Sequence, residues 1–434
     1  MEKSPDLKKY LPYLPDDDVL SQCMHCGMCL ATCPTYELTK MERSSPRGRI
    51  KLIKNLAEGN LPITETFIEE MNFCLDCQAC ETACPAGVKY GSMVEGAREA
   101  ISRENLDRFL PRTIKRIGLN SVVANPSVLN TTAALIKFYQ KSGIQEIMHN
   151  SGFLRFISPK LADADKLAPK MSDKPARKTI PEVTKPAGQA KYKVLFPLGC
   201  IMDFAFADIN IDTLKVLLKH DCEVISPYNQ VCCGSLHAHN GEKKKGFELA
   251  AKTLDLFREF EFDYVISNSA GCGAFMKEYG HVFEGDPVFG EIAKEFSAKV
   301  KDITEFLSIT GLNTEGMYLD KTVTYHDACH LAHTQKVVNE PRNIIAQIPG
   351  LKIVPLNEAS WCCGSAGIYN VARYDDAEKF LERKMKNIKD SGAEYVLAAN
   401  PGCLGQINHG IEKWDLNVKA IHTVTLLRMA YEGK

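Results

Sequence analysis

The sequence predicts an α+β protein of several domains, in which a helical N-terminal domain precedes two tandem α/β repeats. Three observations support this fold class. The chain has 434 residues, and a typical domain size of about 150 residues suggests roughly three domains. Its 45% hydrophobic and 25% charged residues are typical of a globular protein. Its 17 cysteines follow two different spacing patterns, one near the N-terminus and one in the second half of the chain.

The composition argues against several functional classes. The formal net charge is -1, so we expect no broad basic surface and no nucleic-acid partner. No apolar run approaches the roughly 20 residues of a membrane span, and residues 1–6 lack the apolar core of a signal peptide. We therefore expect a cytoplasmic protein, in a reducing compartment where clustered cysteines bind metal more often than they form disulfides.

The N-terminal domain is predicted from a cysteine run that occurs twice. Residues 23–34 and 74–85 both have the spacing C-x2-C-x2-C-x3-C-P, which holds [4Fe–4S] clusters in bacterial ferredoxins. The two-residue gaps turn three thiolates toward one cluster, and the fourth cysteine of each run ligates the other cluster. Zinc is the alternative, but it usually takes separated cysteine pairs or cysteine with histidine. The expected ligands are Cys23, Cys26, Cys29 and Cys84 for the first cluster, and Cys74, Cys77, Cys80 and Cys33 for the second.

These runs define a helical two-cluster ferredoxin-like domain at residues 1–110. A helix is predicted between them, with Ser45 as N-cap and Pro46 in its first turn. Arg47 and Arg49 in that turn either bind cluster sulfurs or a partner's carboxylate, or are solvated surface side chains. Broken helical patterns predict a helical extension at residues 111–158, and five prolines without periodicity predict an extended linker at residues 159–190.

The second half of the chain contains an internal repeat. A cysteine, a Cys-Cys-Gly unit and a further cysteine recur 129 to 131 residues later, which marks two copies of one unit. Short apolar runs alternate with helical patterns in each copy and predict an α/β unit with a parallel sheet. We place the cysteine-rich repeats at residues 191–315 and 316–434. Each cysteine position follows a predicted strand, where α/β folds bind their ligands.

Each repeat therefore gathers four thiolates that we expect to bind metal. One or two further iron–sulfur clusters are the main interpretation, with zinc or a disulfide between Cys232 and Cys233 as alternatives. Cys222 is left over and is predicted to be a small core residue. The predicted ligands are Cys200, Cys232, Cys233 and Cys272 in the first repeat, and Cys329, Cys362, Cys363 and Cys403 in the second.

Histidines also accompany the repeat cysteines. Metal ligation, hydrogen bonding to sulfur and proton uptake are all open to them. The two copies place their histidines differently, so we expect no ligand role that both copies share. These histidines are His237, His239, His326, His330 and His333.

The chain resembles a known family in these features. The doubled cysteine run, the Ser-Pro-Arg-Gly-Arg segment at residues 45–49, the two Cys-Cys-Gly units and the stretch from Tyr325 to His330 together resemble glycolate oxidase iron–sulfur subunits. Related families are the iron–sulfur subunits of heterodisulfide reductase and of anaerobic glycerol-3-phosphate dehydrogenase. In the heterodisulfide reductase relatives each repeat has a fifth cysteine, but Phe275 and Gln406 stand at those positions here.

The resemblance implies an electron-transfer function. No catalytic triad, paired-carboxylate site or flavin or nicotinamide motif is legible, so we assign no catalytic residue. The resemblance implies an iron–sulfur subunit of a flavin-dependent glycolate or D-lactate dehydrogenase, an oxidoreductase complex whose organic catalytic site lies on another chain.

The implied partners are an FAD-containing 2-hydroxyacid dehydrogenase subunit, an electron-transferring flavoprotein as a further possibility, and a quinone or membrane cytochrome as acceptor. The protein would be cytoplasmic or peripheral on the inner face of the cytoplasmic membrane. The alternatives are a disulfide-reducing subunit like that of heterodisulfide reductase and a glycerol-3-phosphate dehydrogenase iron–sulfur subunit.

Overall fold

The structure, a computed structural model, describes residues 5–433. Residues 1–4 and Lys434 lie outside the described residues. The expectation that residues 1–6 lack a signal peptide therefore falls mostly on residues that are not described. The chain forms two compact units. The first comprises the residues up to Ser121 together with Gly234–Phe247, and the second comprises Val122–Cys233 together with Glu248–Lys434.

The first unit contains the doubled cysteine run and is helical, as predicted. Ser45 accepts a hydrogen bond from the Gly48 amide (3.0 Å) and begins the expected helix. Buried apolar side chains of three helices form its core, with Ile53, Met71 and Met93 fully inaccessible. The α-helices are α1 (Asp17–Ser21), α2 (Pro34–Thr39), α3 (Pro46–Ala57), α4 (Glu65–Phe73), α5 (Ala79–Thr82), α6 (Tyr90–Arg103) and α7 (Phe109–Arg116), with 3-10 turns at Pro5–Tyr13 and Glu42–Ser44 and a π-helix at Ile117–Val123.

Four helices follow before the repeats: α8 (Pro126–Lys141), α9 (Ile144–Asn150), α10 (Phe153–Ile157) and α11 (Pro159–Lys166). The segment predicted to be an extended linker is more ordered than expected. Its first eight residues form α11, because Pro159 occupies the first helical turn, where its missing N–H costs nothing. A 3-10 turn lies at Ala176–Lys178, and strand β1 (Val183–Thr184) pairs antiparallel with a strand of the first repeat.

The first repeat is an α/β unit with a largely parallel sheet, as predicted. The sheet order is β1-β3-β2-β4-β5, and only the β1–β3 pair is antiparallel. The elements are β2 (Tyr192–Leu195), α12 (Ile201–Ala205), α13 (Ala207–Lys219), β3 (Cys222–Ile225), α14 (Ser235–His239), α15 (Lys243–Phe257), β4 (Tyr264–Ser267), α16 (Ala270–Lys277), α17 (Tyr279–Val282), α18 (Gly290–Lys299), β5 (Val300–Asp302) and α19 (Ile303–Thr310).

The second repeat has the same architecture, with the all-parallel order β7-β6-β8-β9. Val194 on β2 pairs with Tyr264 in the first sheet, and Val323 on β6 pairs with Tyr395 in the second. The elements are β6 (Thr322–Tyr325), a π-helix (His330–Thr334), α20 (Asn339–Ala346), β7 (Lys352–Ile353), α21 (Tyr369–Ala372), α22 (Tyr374–Ser391), β8 (Tyr395–Ala398), α23 (Pro401–Lys413), β9 (Lys419–His422) and α24 (Thr423–Glu432).

In the first copy, the strands predicted before Cys200, before Cys232 and before Cys272 correspond to β2, β3 and β4. The strands β1 and β5 were not predicted. These two have two and three residues, too few to show an alternating pattern. Among the described residues, no helix is both long enough and apolar enough to cross a membrane.

Candidate metal centres

The loop of the first cysteine run in the N-terminal unit surrounds a cavity. Cys23, Cys26, Cys29 and Cys84 all line it, together with Cys80 from the second run, and it opens to solvent with a total volume of about 420 Å³. The loop curls because His25 and Gly27, on either side of Cys26, have φ of 54° and 88°. This left-handed backbone turns successive thiols toward one side.

The second run repeats this local geometry. Asp76 and Gln78 flank Cys77 and have φ of 52° and 58°, where His25 and Gly27 flank Cys26. The thiols of the set assigned to the second cluster lie together, since burial and then Cys77, Cys74 and Cys33 raise the pKa of Cys80 well above its usual value. The fourth cysteine of the first run is therefore close enough to the second run to act on Cys80, and it also acts on Cys29 of its own run.

A buried arginine supports the second set of thiols. Arg49 is fully buried and donates from Nε to the Glu70 carbonyl (2.7 Å) and from Nη1 to Thr35 Oγ1 (3.0 Å). Thr35 Oγ1 lies 3.2 Å from Cys33 Sγ. The interpretation of Arg49 as a solvated surface side chain is wrong, because its guanidinium is enclosed beside these thiols.

Other groups also donate toward this set. The Tyr90 hydroxyl and the Asp76 amide each donate to Cys74 Sγ at 3.4 Å. Burial, together with Cys74, raises the pKa of Tyr90 well above its usual value, so the hydroxyl keeps its proton. Arg47, by contrast, binds exposed Glu42 (2.6 Å) and the His25 carbonyl (3.0 Å).

His237 and His239 lie in the N-terminal unit, although they follow Cys233 in the sequence. His237 Nε2 bonds the Leu119 carbonyl (2.8 Å). His239 Nδ1 lies 2.5 Å from Glu95 and 3.5 Å from Asp76. Burial opposes protonation of His239, but the two carboxylates outweigh it and raise its pKa well above the usual value. Both histidines thus contact groups of the N-terminal unit.

The four predicted cysteines of the first repeat converge at one edge of its sheet. Cys200 follows β2, Cys232 and Cys233 follow β3, and Cys272 is in α16 after β4. Cys200 Sγ lies 3.5 Å from Cys232 Sγ, and hydrogen bonds with Cys232 and Cys272 raise the pKa of Cys233 well above its usual value. A cavity of about 480 Å³ lies against Cys233 and Cys272.

The second repeat brings Cys362, Cys363 and Cys403 together after β7 and β8, and the thiols of Cys362 and Cys403 are hydrogen-bonded to that of Cys363. Cys329 caps the π-helix after β6, at the same edge of the sheet. His326 joins this group, since its ring and the thiols of Cys363 and Cys403 have donor atoms within 4.8 Å of one another.

A buried lysine also faces the second-repeat thiols. Lys384 is fully buried and donates to the carbonyls of Glu358 (2.6 Å) and Ala359 (3.1 Å). Burial lowers its pKa to about 8, and the Cys363 and Cys362 thiols oppose that shift. No sequence signal marks Lys384, because it lies in a highly charged helix whose lysines are expected to face solvent.

Cys222, the cysteine outside the four sets, is a buried core residue on β3. Burial raises its pKa to about 12, so its thiol is neutral and poorly suited to metal binding. Phe275 and Gln406, at the positions of the relatives' fifth cysteines, are both buried.

The donor sets fit iron–sulfur clusters. None of the 17 cysteines forms a disulfide, and sixteen of them fall into the four predicted sets. Buried neighbouring thiols cannot all ionise without a cation, and soft thiolates select iron–sulfur clusters or zinc. The doubled run of the N-terminal unit has the spacing of cluster ligands and lacks the separated pairs that zinc usually takes. The sites thus favour iron–sulfur, although the assignment of individual ligands remains a prediction.

Comparison with known protein families agrees with this chemistry. The profile of a 4Fe-4S dicluster domain matches residues 19–88, and that of a cysteine-rich domain matches residues 194–277 and 323–408. The linker region of the glycolate oxidase iron–sulfur subunit matches residues 110–168.

Similar proteins extend the comparison over most of the chain. A probable glycolate oxidase iron–sulfur subunit from Bacillus subtilis is 37% identical over 95% of this chain and 94% of its own length. The glycolate oxidase iron–sulfur subunit of Escherichia coli is 31% identical over 90% of each chain. Lactate utilization protein A of Geobacillus kaustophilus is 30% identical over 54% of this chain and 98% of its own length.

A solved structure shows the same fold. The crystal structure of a hypothetical protein from Helicobacter pylori superposes with a TM-score of 0.53, covering 99% of this chain and 75% of the other. At 10% identity this match supports the architecture alone.

Proposed function

Because the chain belongs to the family of glycolate oxidase iron–sulfur subunits, we propose that it serves a flavin-dependent 2-hydroxyacid dehydrogenase as electron-transfer subunit. It would connect the FAD of a partner subunit, which oxidises glycolate or D-lactate, with a quinone or another membrane acceptor. An electron-transferring flavoprotein is a further candidate partner. Iron–sulfur clusters, when bound, accept and release single electrons.

One observation carries this proposal. The charges of Cys77, Cys74 and Cys33 all act on the buried thiol of Cys80, as the ligand exchange of a two-cluster ferredoxin would require. Four thiolates that bind one cluster, with one ligand on each iron, form the usual site of an electron carrier. Thr35 and Tyr90 hold their hydroxyls against Cys33 and Cys74, so the chain tunes its thiolates through hydrogen bonds.

The residue at the position of the relatives' fifth cysteine argues against a disulfide-reducing subunit. Gln406 occupies the position of the fifth thiolate in the second repeat, and its Oε1 accepts a hydrogen bond from Asn370 (2.8 Å). We therefore expect no thiol release when the reduced protein is given a disulfide substrate.

The proposal is tested with the anaerobically purified chain and its flavoprotein. The chain alone should not oxidise glycolate or D-lactate, and its visible absorbance should bleach when flavoprotein and hydroxy acid are both added. A Cys222→Ala chain should behave like the wild type, and a Cys33→Ala chain should accept fewer electrons. Oxidation of the hydroxy acid by the chain alone would contradict the proposal.

A further inference from the structure

Three buried histidines of the second unit differ in how their ring nitrogens are used. His220 bonds the Val216 carbonyl (2.8 Å) and accepts from the Asn313 amide (3.0 Å). His422 likewise uses both nitrogens. His326 is 1% exposed, yet neither of its nitrogens has a hydrogen-bond partner among the described residues. A buried polar group without a partner is costly and calls for an explanation.

The backbone near His326 offers its ring little. Ala359 interacts with the ring, but its carbonyl already accepts from the Asp327 amide (3.1 Å) and from Lys384 Nζ (3.1 Å), and it forms no well-aligned hydrogen bond with either ring nitrogen. The ring has thiols as neighbours instead, those of Cys363 and Cys403, with donor atoms within 4.8 Å. Ligands at 2.0–2.3 Å from one metal ion lie at most about 4.5 Å apart, so the observed spacing is close to that of a common metal.

The first repeat has no equivalent of this histidine. The pairing of Val194 with Tyr264 and of Val323 with Tyr395 aligns the two copies, and this register places Pro197 opposite His326. Proline has no side-chain donor atom. The two sites therefore differ in their available ligands although their cysteines correspond.

We propose that His326 is a nitrogen ligand of the metal group in the second repeat, which makes this site a mixed sulfur–nitrogen centre while the first repeat remains all-sulfur. The proposal rests on the proposed function, in that the repeat cysteines hold iron. His326 raises the donor count of the second site to five, where Gln406 has replaced the fifth thiolate of the heterodisulfide reductase relatives. Histidine ligation raises the reduction potential of an iron–sulfur centre relative to thiolate ligation.

The test is pulsed EPR on the full-length, anaerobically purified protein, reduced in steps. The signal of the second repeat is identified first, as the signal missing from a Cys363→Ala chain. That signal should show strong coupling to a directly bound nitrogen, which changes when the protein is grown with 15N-labelled histidine. His326→Gln should remove the coupling, whereas the matched variant His330→Gln, from the same segment, should keep it.

A second variant guards against simple misfolding. His326→Cys replaces nitrogen by sulfur, so it should keep the signal, lose the nitrogen coupling and shift the midpoint potential to a more negative value. A second-repeat signal without histidine coupling, or with coupling that survives in His326→Gln, would overturn the ligand role alone. If Cys363→Ala removed neither iron nor any signal, the iron assignment of the repeat would fail, and the ligand role with it.

Discussion

Arg49 shows most directly how single residues adjust the N-terminal centres. Its guanidinium is buried beside Cys33 and Cys74, which both help to raise its pKa against the effect of burial. It also forms an ion pair with buried Glu70 (3.5 Å), which Arg43 contacts from the surface (3.0 Å). A fixed positive charge beside these thiolates stabilises the reduced state of a cluster that they bind, because that state is more negative.

Replacing Arg49 by Met should lower the reduction potential of the second N-terminal centre and destabilise the fold. The expected loss of unfolding free energy is about 3 kcal/mol, the lower end for a broken buried pair, because Arg43 still contacts Glu70. Redox titration followed by EPR measures the potential, and urea unfolding measures the stability. Arg47→Met is the control, since its exposed pair with Glu42 is worth at most about 1 kcal/mol. An unchanged potential in Arg49→Met would contradict the assigned role.

His422 gives the protein a specific sensitivity to acid. Its Nε2 donates to the Asn268 carbonyl (3.0 Å) and its Nδ1 accepts from the Val424 amide (3.2 Å), an arrangement that requires the neutral ring. Burial lowers its pKa to about 4, against about 6.5 in the unfolded chain. The stabilisation is therefore complete above pH 6.5 and is lost as the pH falls toward 4.

A His422→Asn variant keeps a helix-capping side chain but cannot titrate. Between pH 6.5 and 4 the wild type should lose about 3 kcal/mol more unfolding free energy than the variant, at about 1.4 kcal/mol per unit of pKa shift. Unfolding curves at a series of pH values measure this difference. Parallel pH dependence in the two proteins would show that the ring is not held neutral.

At the residue scale, the sequence indicated how the cysteines group. It did not indicate which other side chains surround them. The spacing of the two runs is strict because the chain must turn within two residues, as the left-handed His25 and Asp76 show. Lys384 left no such pattern, and for Arg49 and His326 the sequence left the role open. Their importance comes from burial, which depends on tertiary packing and is not evident from the neighbouring sequence.

Among the elements, α8 to α10 are unusual for the apolar side chains they expose. Leu135, Phe138, Ile147 and Phe156 are 65%, 65%, 67% and 89% exposed. Large exposed apolar side chains that lie near one another mark interaction sites in soluble proteins. We expect this segment, which matches the linker region of glycolate oxidase iron–sulfur subunits, to bind the flavoprotein.

Replacing Phe138 and Phe156 together by Ser should weaken binding of the flavoprotein by at least about 30-fold, since even one buried aromatic anchor is worth about 2 kcal/mol at an interface. Calorimetry or surface binding measures the affinity, and the iron content should be unchanged. Val288→Ser, at an exposed residue outside these helices, is the control. Equal affinities of the variant and the wild type would show that this surface does not bind the flavoprotein. If the variant lost binding to lipid vesicles instead, the surface would bind lipid.

The strands show where element prediction reached its limit. β2, β3 and β4 carry apolar runs long enough to be legible, whereas β1 and β5 are short strands at the sheet edges. The segment at residues 159–190 was predicted as extended because its prolines interrupt any period. Proline is compatible with a first helical turn, however, and α11 uses Pro159 in that position.

For the whole molecule, the internal repeat made the architecture of the second half predictable. Two copies with matching cysteines must place them at matching sheet edges, and the registers of β2 with β4 and of β6 with β8 agree. A difference between the copies such as Pro197 against His326 has no such constraint. It gives the two sites different donors.

The grouping of the cysteines makes a prediction about loss of single centres. Cys33→Ala should remove one of the two N-terminal EPR signals and leave the repeat signals intact, because we assign Cys33 to the set of Cys74, Cys77 and Cys80. Cys222→Ala, which removes a buried thiol outside every set, should change neither iron content nor signals. Loss of both N-terminal signals in Cys33→Ala with a folded chain would contradict the separate grouping.

Iron and acid-labile sulfide analysis of the anaerobically purified full chain tests the central claim most directly. Two [4Fe–4S] clusters in the N-terminal unit alone require about eight sulfide ions per chain, and iron in the repeats adds to this number. We predict a brown protein with at least that much sulfide and little zinc. A colourless chain without labile sulfide, or one that holds zinc at its cysteines, would contradict the account.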